Sequence, residues 1–589
     1  MTKQLFSLSP KALIGLVALL SMPSANAVNL TTNGIGELAM VPYYTVRDGW
    51  QTVVSLNNTG ADPILVKLRV KEGWNGREAL NFTIALAGYD AFAGVIREGS
   101  QGPVFVASDQ ADGQGRRSCT VPNAVAEPGV ATPLSTAAFG PPGSENDDGG
   151  PSGDGPDAID RLREGRVELY VLGYAEGSDL GSGGGSLMAI GDAIESHNCQ
   201  VLASALSNAT TNGERNTLIA ARQFGEPVNV LQAQFSLLNA QRGVEAGMPA
   251  TTWANFYKRD AEPDTAMITP EENAGCQLAR DFNSGGQNSW YPDGSFGSCR
   301  NLVTAQEFPN HLEPDLNDAY PAIAHWWNDD GDWAEHAQPD WVRTRALRSP
   351  GGVSPPTTPS IQLPRGVDAL SLTVQRSQIM NSWSTNPALG VTTDWVVSFP
   401  TKAFYVDDGT GTGHQGPGDY SALNPRRDSL YSAAPEQPIP PFTASFGQST
   451  EEDRSSAGAC EFGRGFLHDR AALKATGSPF GPEVSLALCA ETNIIGFGNG
   501  SALPAAHASN VDSAAIPELL RNAGWMRLTF DGQLRAEQVG GPFVGTVHDH
   551  IGLPVIGFAL RQRTFGGVTR NFASLSEHGY ERARTAVAD

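Results

Sequence analysis

The stretch Ile64-Leu-Val-Lys-Leu-Arg-Val70 decides how the chain is read. Val66, Leu68 and Val70 alternate with Lys67 and Arg69, the period of two that sends successive side chains to opposite faces of a strand. An apolar face and a charged face imply a sheet buried on one side and wet on the other. Upstream, 38–46 (LAMVPYYTV) and 51–56 (QTVVSL) are apolar, β-branched or aromatic and are parted by Arg47-Asp48-Gly49. Downstream, Leu80–Leu86 and Ala91–Ile96 flank the turn Gly88-Tyr89-Asp90. Five short strands punctuated by turn residues are the signature of an antiparallel, Ig-like sandwich.

The same signature returns at Arg166–Tyr174, Val228–Leu238, Val484–Ala490, Ile494–Phe497, Gly524–Phe530, Phe543–Val547 and Leu553–Leu560. Thr393–Val406 reads as an aromatic strand pair bent at Pro400, and Cys199–Leu206 as a short helix. Residues 367–374 fit either a helix or a strand. The fold class expected is therefore mainly β: two Ig-like or antiparallel sandwich regions, 28–244 and 366–589, with long loop insertions. Between them, 245–365 is an irregular, Trp-rich insert and linker.

Composition agrees. Gly (66) and Pro (40) together argue against a helical bundle or coiled coil. They concentrate in the loops 108–158, 181–185, 350–365, 407–419 and 433–441, leaving blocks of ordinary composition between. A net charge of −23 excludes attraction of nucleic acid or an anionic membrane by the whole-chain field. No stretch after the N-terminus has the apolar length of a transmembrane segment.

Residues 1–27 have the anatomy of a secretory signal peptide. Lys3 and Lys11 precede the apolar run Ala12–Leu20, and Ser24-Ala25-Asn26-Ala27 supplies the A-x-A cleavage site. Export places the mature chain in the periplasm, at the cell surface or outside the cell. There Cys119, Cys199, Cys276, Cys299, Cys460 and Cys489 read as disulfides rather than as metal ligands. Six cysteines allow fifteen connectivities. Spacing favours Cys276 with Cys299 and Cys460 with Cys489, which leaves Cys119 with Cys199.

The densest chemical feature is Ala324-His-Trp-Trp-Asn-Asp-Asp-Gly-Asp-Trp-Ala-Glu-His336. Trp326, Trp327, Trp333 and Trp341, beside Asp329, Asp330, Asp332 and Glu335, could present indole faces to sugar rings and carboxylates to their hydroxyls. A carboxylate pair there could also serve a glycosidase. The plainer alternative, that these indoles form the core of the insert, outweighs both. Cation signals are sparser. Asp147, Asp148, Asp154 and Asp157 carry calcium-type oxygens without a regular ligand spacing, and a solvated loop is the better account. His548 and His550 alternate as strand ligands for zinc or copper would, but no third ligand stands near and the pair precedes the turn-like Ile551-Gly552. No GxSxG, HExxH, P-loop or strand-flanked GxGxxG occurs, so the chain is read as more a binder than an enzyme.

PYYTVRDGWQTVVSLNNTG (42–60), LVKLRVKEGWNGREALNFTIALAGYDAFAGVI (65–96), REGRVELYVLGY (163–174), TDWVVSFPTKAFYV (393–406), CAETNIIGF (489–497), GWMRLTF (524–530) and LPVIGFAL (553–560) carry a resemblance. In these blocks the chain resembles a group of large secreted or surface β-rich proteins of Gram-negative bacteria. The resemblance implies shared architecture and export, and brings no activity. The function expected is thus an exported, disulfide-stabilised, non-enzymatic structural or binding protein that meets copies of itself, other surface proteins or cell-surface glycan. A carbohydrate-binding or glycoside-acting protein using 325–341, and a periplasmic accessory of an export or assembly system, are the alternatives. The polar C-terminal ERARTAVAD carries no sorting helix and no terminal aromatic of the outer-membrane barrel kind.

Overall fold

The computed structural model describes residues 28–108, 117–127, 129–136, 158–174, 190–208, 227–256, 316, 322–323, 325–327, 333–335, 360–362, 366–406, 440–442, 460–469, 483–498, 500–506, 508–511, 522–539, 547–565 and 571–586. The protein is mostly β, built of several antiparallel sheets in sandwich packing and no barrel. Two seven-stranded sheets come from the N-terminal part. The first runs Asn29–Leu30, Thr251–Ala254, Leu38–Thr45, Glu164–Tyr174, Ile64–Glu72, Glu78–Leu86, Cys119–Val121. The second runs Ala131–Pro133, Gly102–Ala107, Ala91–Gly99, Trp50–Asn58, Leu231–Asn239, Val244–Pro249, with the short Ile35–Gly36 also pairing with Leu231–Asn239.

Two five-stranded sheets follow from the C-terminal part. The third runs Ala508–Val511, Thr492–Phe497, Val391–Ser398, Ile556–Arg563, Phe572–Glu577, with its first pair parallel. The fourth runs Glu483–Leu488, Glu461–Asp469, Ala523–Thr529, Gln378–Ser384, Gly579–Glu581. A further sheet includes Gln533–Val539, Val547–Ile551 and Ala583–Ala586.

Strand alternation divides these sheets between two large cores. Val66, Leu68, Val167, Leu169 and Phe235 share one core with Val396, Ile494 and Phe558 of the third sheet. The Phe235 and Phe558 rings lie 5.5 Å apart. Leu38, Met40 and Tyr170, on the opposite face of the first sheet, share the other core with Trp395, Phe497, Met526 and Leu528. Both parts of the chain therefore contribute to both cores.

Two disulfides are formed. Cys119–Cys199 ties the edge of the first sheet to the helix Cys199–Asn208, and Cys460–Cys489 ties the fourth sheet to the turn before the third. Cys276 and Cys299 lie outside the described residues, as do residues 1–27 and the acidic positions Asp147, Asp148, Asp154 and Asp157.

The structure corrects the opening expectation of a wet face. Lys67, Arg69 and Lys71 are all buried. The cause lies across the ladder. Arg69 pairs with Glu78, and Lys71 lies 3.6 Å from the same carboxylate. Glu168 stands directly opposite Arg69, and Arg166 opposite Lys71. Carboxylates on neighbouring strands make a charged face buriable.

A second correction concerns 393–406. Its first arm is the strand Val391–Ser398, but Ala403–Val406 is a short helix with all four residues buried. Residues 367–374 resolve as the helix Gly366–Thr373.

Candidate anion-binding cleft

Where the N-terminal and C-terminal parts meet, a cavity of about 760 Å³ opens. That lies within the range of roughly 300–1,000 Å³ typical of small-molecule sites. One wall is Asn29–Gly34 with Met248–Thr252, and the other is Leu372–Val374, Ile379 and Val555–Gly557. Arg376, Glu577, His578, Tyr580 and Arg582 complete it.

The helix Gly366–Thr373 sets the geometry. Its last carbonyls have no partner within the helix and form the negative end of its dipole. Arg376 Nη1 donates to the Thr373 carbonyl at 3.0 Å and to the Gln375 carbonyl at 3.1 Å. Arg582 Nη2 donates to the same Thr373 carbonyl. One acceptor thus gathers two guanidinium groups. Thr373 is fixed in turn by Trp253 Nε1, which donates to its hydroxyl at 2.7 Å, so the N-terminal part anchors the cleft floor.

Arg376 is brought in by the two-residue strand Gln375–Arg376, which pairs with Leu553–Pro554. Gly552 permits this approach: its φ is +108°, and a Cβ there would stand 1.7 Å from the Arg376 carbonyl oxygen. On the other side Tyr580 lies opposite Ile379 in the ladder. The Arg376 guanidinium stacks over the Tyr580 ring at 3.7 Å from its centroid, and that of Arg582 stands 5.7 Å from it.

Burial, then the neighbouring Arg582 charge, push Arg376 down to about 9. Burial pushes Arg582 down to about 10. Both remain cations at neutral pH, and burial makes each charge costly. His578 is different. Burial pushes it down to about 4, and its Nε2 meets the Val396 carbonyl at 3.0 Å. Its ring is therefore neutral, with the proton on Nε2, and the positive charge of the cleft is guanidinium charge.

A second charged cluster is built in the opposite way. At the seam between the turn 73–77 and the segment 489–492, Arg166 Nη1 pairs with Glu491, and Arg166 Nε with Glu168 at 2.9 Å. Arg161 Nε meets Glu72 at 3.3 Å, while Glu72 also accepts from the Trp74, Asn75 and Arg77 amides. Burial would raise the Glu72 carboxyl, but Arg161 and these amides hold it below the usual range. Glu491 accepts from the Ala403 amide, and its own amide donates to the Trp74 carbonyl. Arg166 Nη2 alone among these groups is buried without a hydrogen-bond partner; with each guanidinium facing a carboxylate, the network is structural.

The sequence-predicted site residues fall elsewhere. His325–Trp327 and Trp333–Glu335 form a two-stranded hairpin, with Trp327 opposite Trp333 and His325 opposite Glu335. Asp329, Asp330, Asp332 and Trp341 lie outside the described residues. His548 and His550 belong to the strand Val547–Ile551 rather than to a turn, because the segment pairs on both sides, with Gln533–Val539 and Ala583–Ala586. His550 is buried. Among the described residues no group of three or more His, Cys, Asp or Glu side chains could hold a metal ion. Nor is any described helix long and apolar enough to cross a membrane.

Exposed aromatics occur instead on the outer face of the fourth sheet. Phe462 is 64% exposed and Trp525 38%, and the His468 ring stacks on Trp525 at 4.0 Å. Arg527 lies over Phe466 at 4.9 Å. The outward direction of Trp525 was available from the alternation in Gly524–Phe530.

Compared with known protein families, with curated proteins and with solved structures, the chain matches none.

Proposed function

We propose that the chain is an exported, disulfide-stapled protein that binds a partner without transforming it, acting at the surface or outside a Gram-negative cell. The observation that carries the binding part is the cleft itself. It has the volume of a ligand site, mixed apolar and polar walls, and two cations gathered on one carbonyl. The leader-like 1–27 and the two disulfides support export.

The test is a thermal-shift screen of the mature chain against a small-molecule set, repeated with Met248→Trp, which crowds the cleft from a partly exposed edge strand. Ligands that raise the wild-type midpoint and lose that effect in the variant support the reading. Turnover of a bound compound, or shifts unchanged by Met248→Trp, would sink it. Fractionation of cells expressing the full chain should place a product beginning at Val28 outside the cytoplasm.

The exposed aromatics favour a second reading, contact with polysaccharide across the fourth sheet. Stacked and exposed rings flanked by Arg464 and Arg527 offer apolar faces and hydroxyl partners together. Affinity electrophoresis in gels carrying xylan should retard the wild type and not a Phe462→Ala, Trp525→Ala variant. Equal mobility of the two would remove this reading.

A further inference from the structure

We propose that the cleft holds the carboxylate of an amphipathic organic acid, the anionic head between Arg376 and Arg582 and the apolar body along Leu30, Met248, Ile379 and Val555. The inference rests on the reading of the cleft as a ligand site and adds the class of ligand.

Arg376 carries the argument. It is 4% exposed, lines the cavity, and spends only Nη1 on the Thr373 and Gln375 carbonyls. Its Nε and Nη2 make no hydrogen bond to any described residue, and no described carboxylate lies within ion-pair distance of it. A deeply buried guanidinium with one edge satisfied and one edge turned to a cavity is a donor fork awaiting a planar acceptor. The shared Thr373 carbonyl brings the Arg582 guanidinium beside it, and two adjacent cations are relieved by an anion placed between them. Glu577 acts on Arg376 electrostatically, but it is exposed at the rim and forms no salt bridge with it.

The rest of the cavity selects the body of the ligand. Leu30, Met248, Leu372, Ile379, Val555 and Ile556 are apolar. They would not solvate an inorganic oxyanion, and the cavity is far larger than one. The flat Tyr580 ring lies against the Arg376 side of the head site. The overall charge of −23 repels anions at a distance, yet in physiological salt that field fades beyond about 8 Å, and the cleft's own cations govern its interior.

The probe is decanoate, titrated calorimetrically into the mature chain, with decanol and inorganic phosphate as separate arms. Decanoate should bind and decanol should bind at least tenfold more weakly, with phosphate failing to compete. Arg376→Gln should weaken decanoate by about ten- to a hundredfold, as expected for loss of a charge-assisted fork. Arg376 also holds the helix end, so its variant could lose binding by misfolding. Met248→Glu keeps both arginines and introduces a carboxylate at the apolar wall. It should abolish decanoate binding while the thermal midpoint stays close to wild type. Decanol binding as tightly as decanoate overturns the carboxylate assignment and leaves the cleft a ligand site. Phosphate binding that is lost in Arg376→Gln overturns the organic-acid class. Binding of none of the three, with the screen also empty, overturns the cleft reading itself.

Discussion

The seam and the cleft both bury charge where the two parts of the chain meet, and they do so by opposite rules. At the seam each guanidinium meets a carboxylate: Arg166 meets Glu168 and Glu491, and Arg161 meets Glu72. At the cleft two guanidiniums converge on one backbone carbonyl and on each other's neighbourhood. Ion pairs that satisfy one another hold parts together and leave little for a partner to add. Arg376, whose hydrogen bonds to described residues go only to the Thr373 and Gln375 carbonyls and whose plane lies on Tyr580, retains unspent donor capacity. The contrast sets a structural cluster apart from the proposed binding site without appeal to any motif.

The sharpest way to break the contrast is Glu491→Ala. It leaves Arg166 buried with one carboxylate fewer and removes the acceptor for the Ala403 amide. Removing one partner of a buried pair costs about 3–5 kcal/mol. A urea midpoint lowered by that amount, at unchanged slope, is the expected outcome. A loss below about 1 kcal/mol would mean that the seam does not hold the two parts together.

Acid titration should expose both regions at once. His578, at the cleft, sits near 4 in the folded chain against an ordinary 6.5. Between those values the unfolded chain binds a proton that the folded chain refuses, so stability falls as pH drops through the window, by up to about 3 kcal/mol. Asp394 supports the loop 501–506, accepting from the Ala502 and Leu503 amides at 2.6 and 3.0 Å. Burial outweighs those amides and pushes it up to about 7. It therefore takes up a proton on folding, and stability falls as pH rises from about 4 to 7. The two slopes oppose each other. Wild-type stability should be nearly flat from pH 4.5 to 6.5, while Asp394→Asn should show the His578 slope alone, losing stability on acidification. Parallel profiles for the two proteins would refute this assignment.

Gly76→Ala sharpens the seam further. Its φ is +76°, and an added Cβ would stand 2.2 Å from the Glu491 carboxylate. A cost of about 2 kcal/mol is expected from the backbone alone, more from the clash. In a Glu491→Ala background the clash disappears, so the double variant should lose clearly less stability than the sum of the two single losses. Strict additivity would mean that the turn 73–77 can shift away.

How far these regions could be read from sequence follows from where their causes lie. The strand at Ile64–Val70 was legible, because alternation is local. Its buried charged face was not, because the carboxylates that make it buriable, Glu78 and Glu168, stand on the two neighbouring strands, and which strands are neighbours is not a local property. The Cys460–Cys489 pair followed from spacing and Cys119–Cys199 by elimination. The helix Ala403–Val406 was misread because four buried apolar residues carry no period. The cleft left no signal at all. Arg376 sits in a two-residue strand, and Arg582 belongs to a terminal stretch read only as polar. The ladder that sets Gln378 opposite Glu581, and the helix end at Thr373, bring them together.

The smallest expected effect is the one that best separates the two regions. Arg376→Gln removes two hydrogen bonds to the carbonyls of Thr373 and Gln375. Each contributes about 1 kcal/mol, rather more from a charged donor. The same substitution removes a buried cation from the neighbourhood of Arg582 and ends its desolvation cost, both of which lowered Arg376 to about 9. Glutamine can still donate one hydrogen bond to the helix end. Losses and gains nearly cancel, so ligand-free stability should change by no more than about 1 kcal/mol in either direction. A loss of 3 kcal/mol or more would show that Arg376 is held by its surroundings as firmly as Arg166 is at the seam. The cleft would then be a second structural cluster, and the distinction between the two regions would fall.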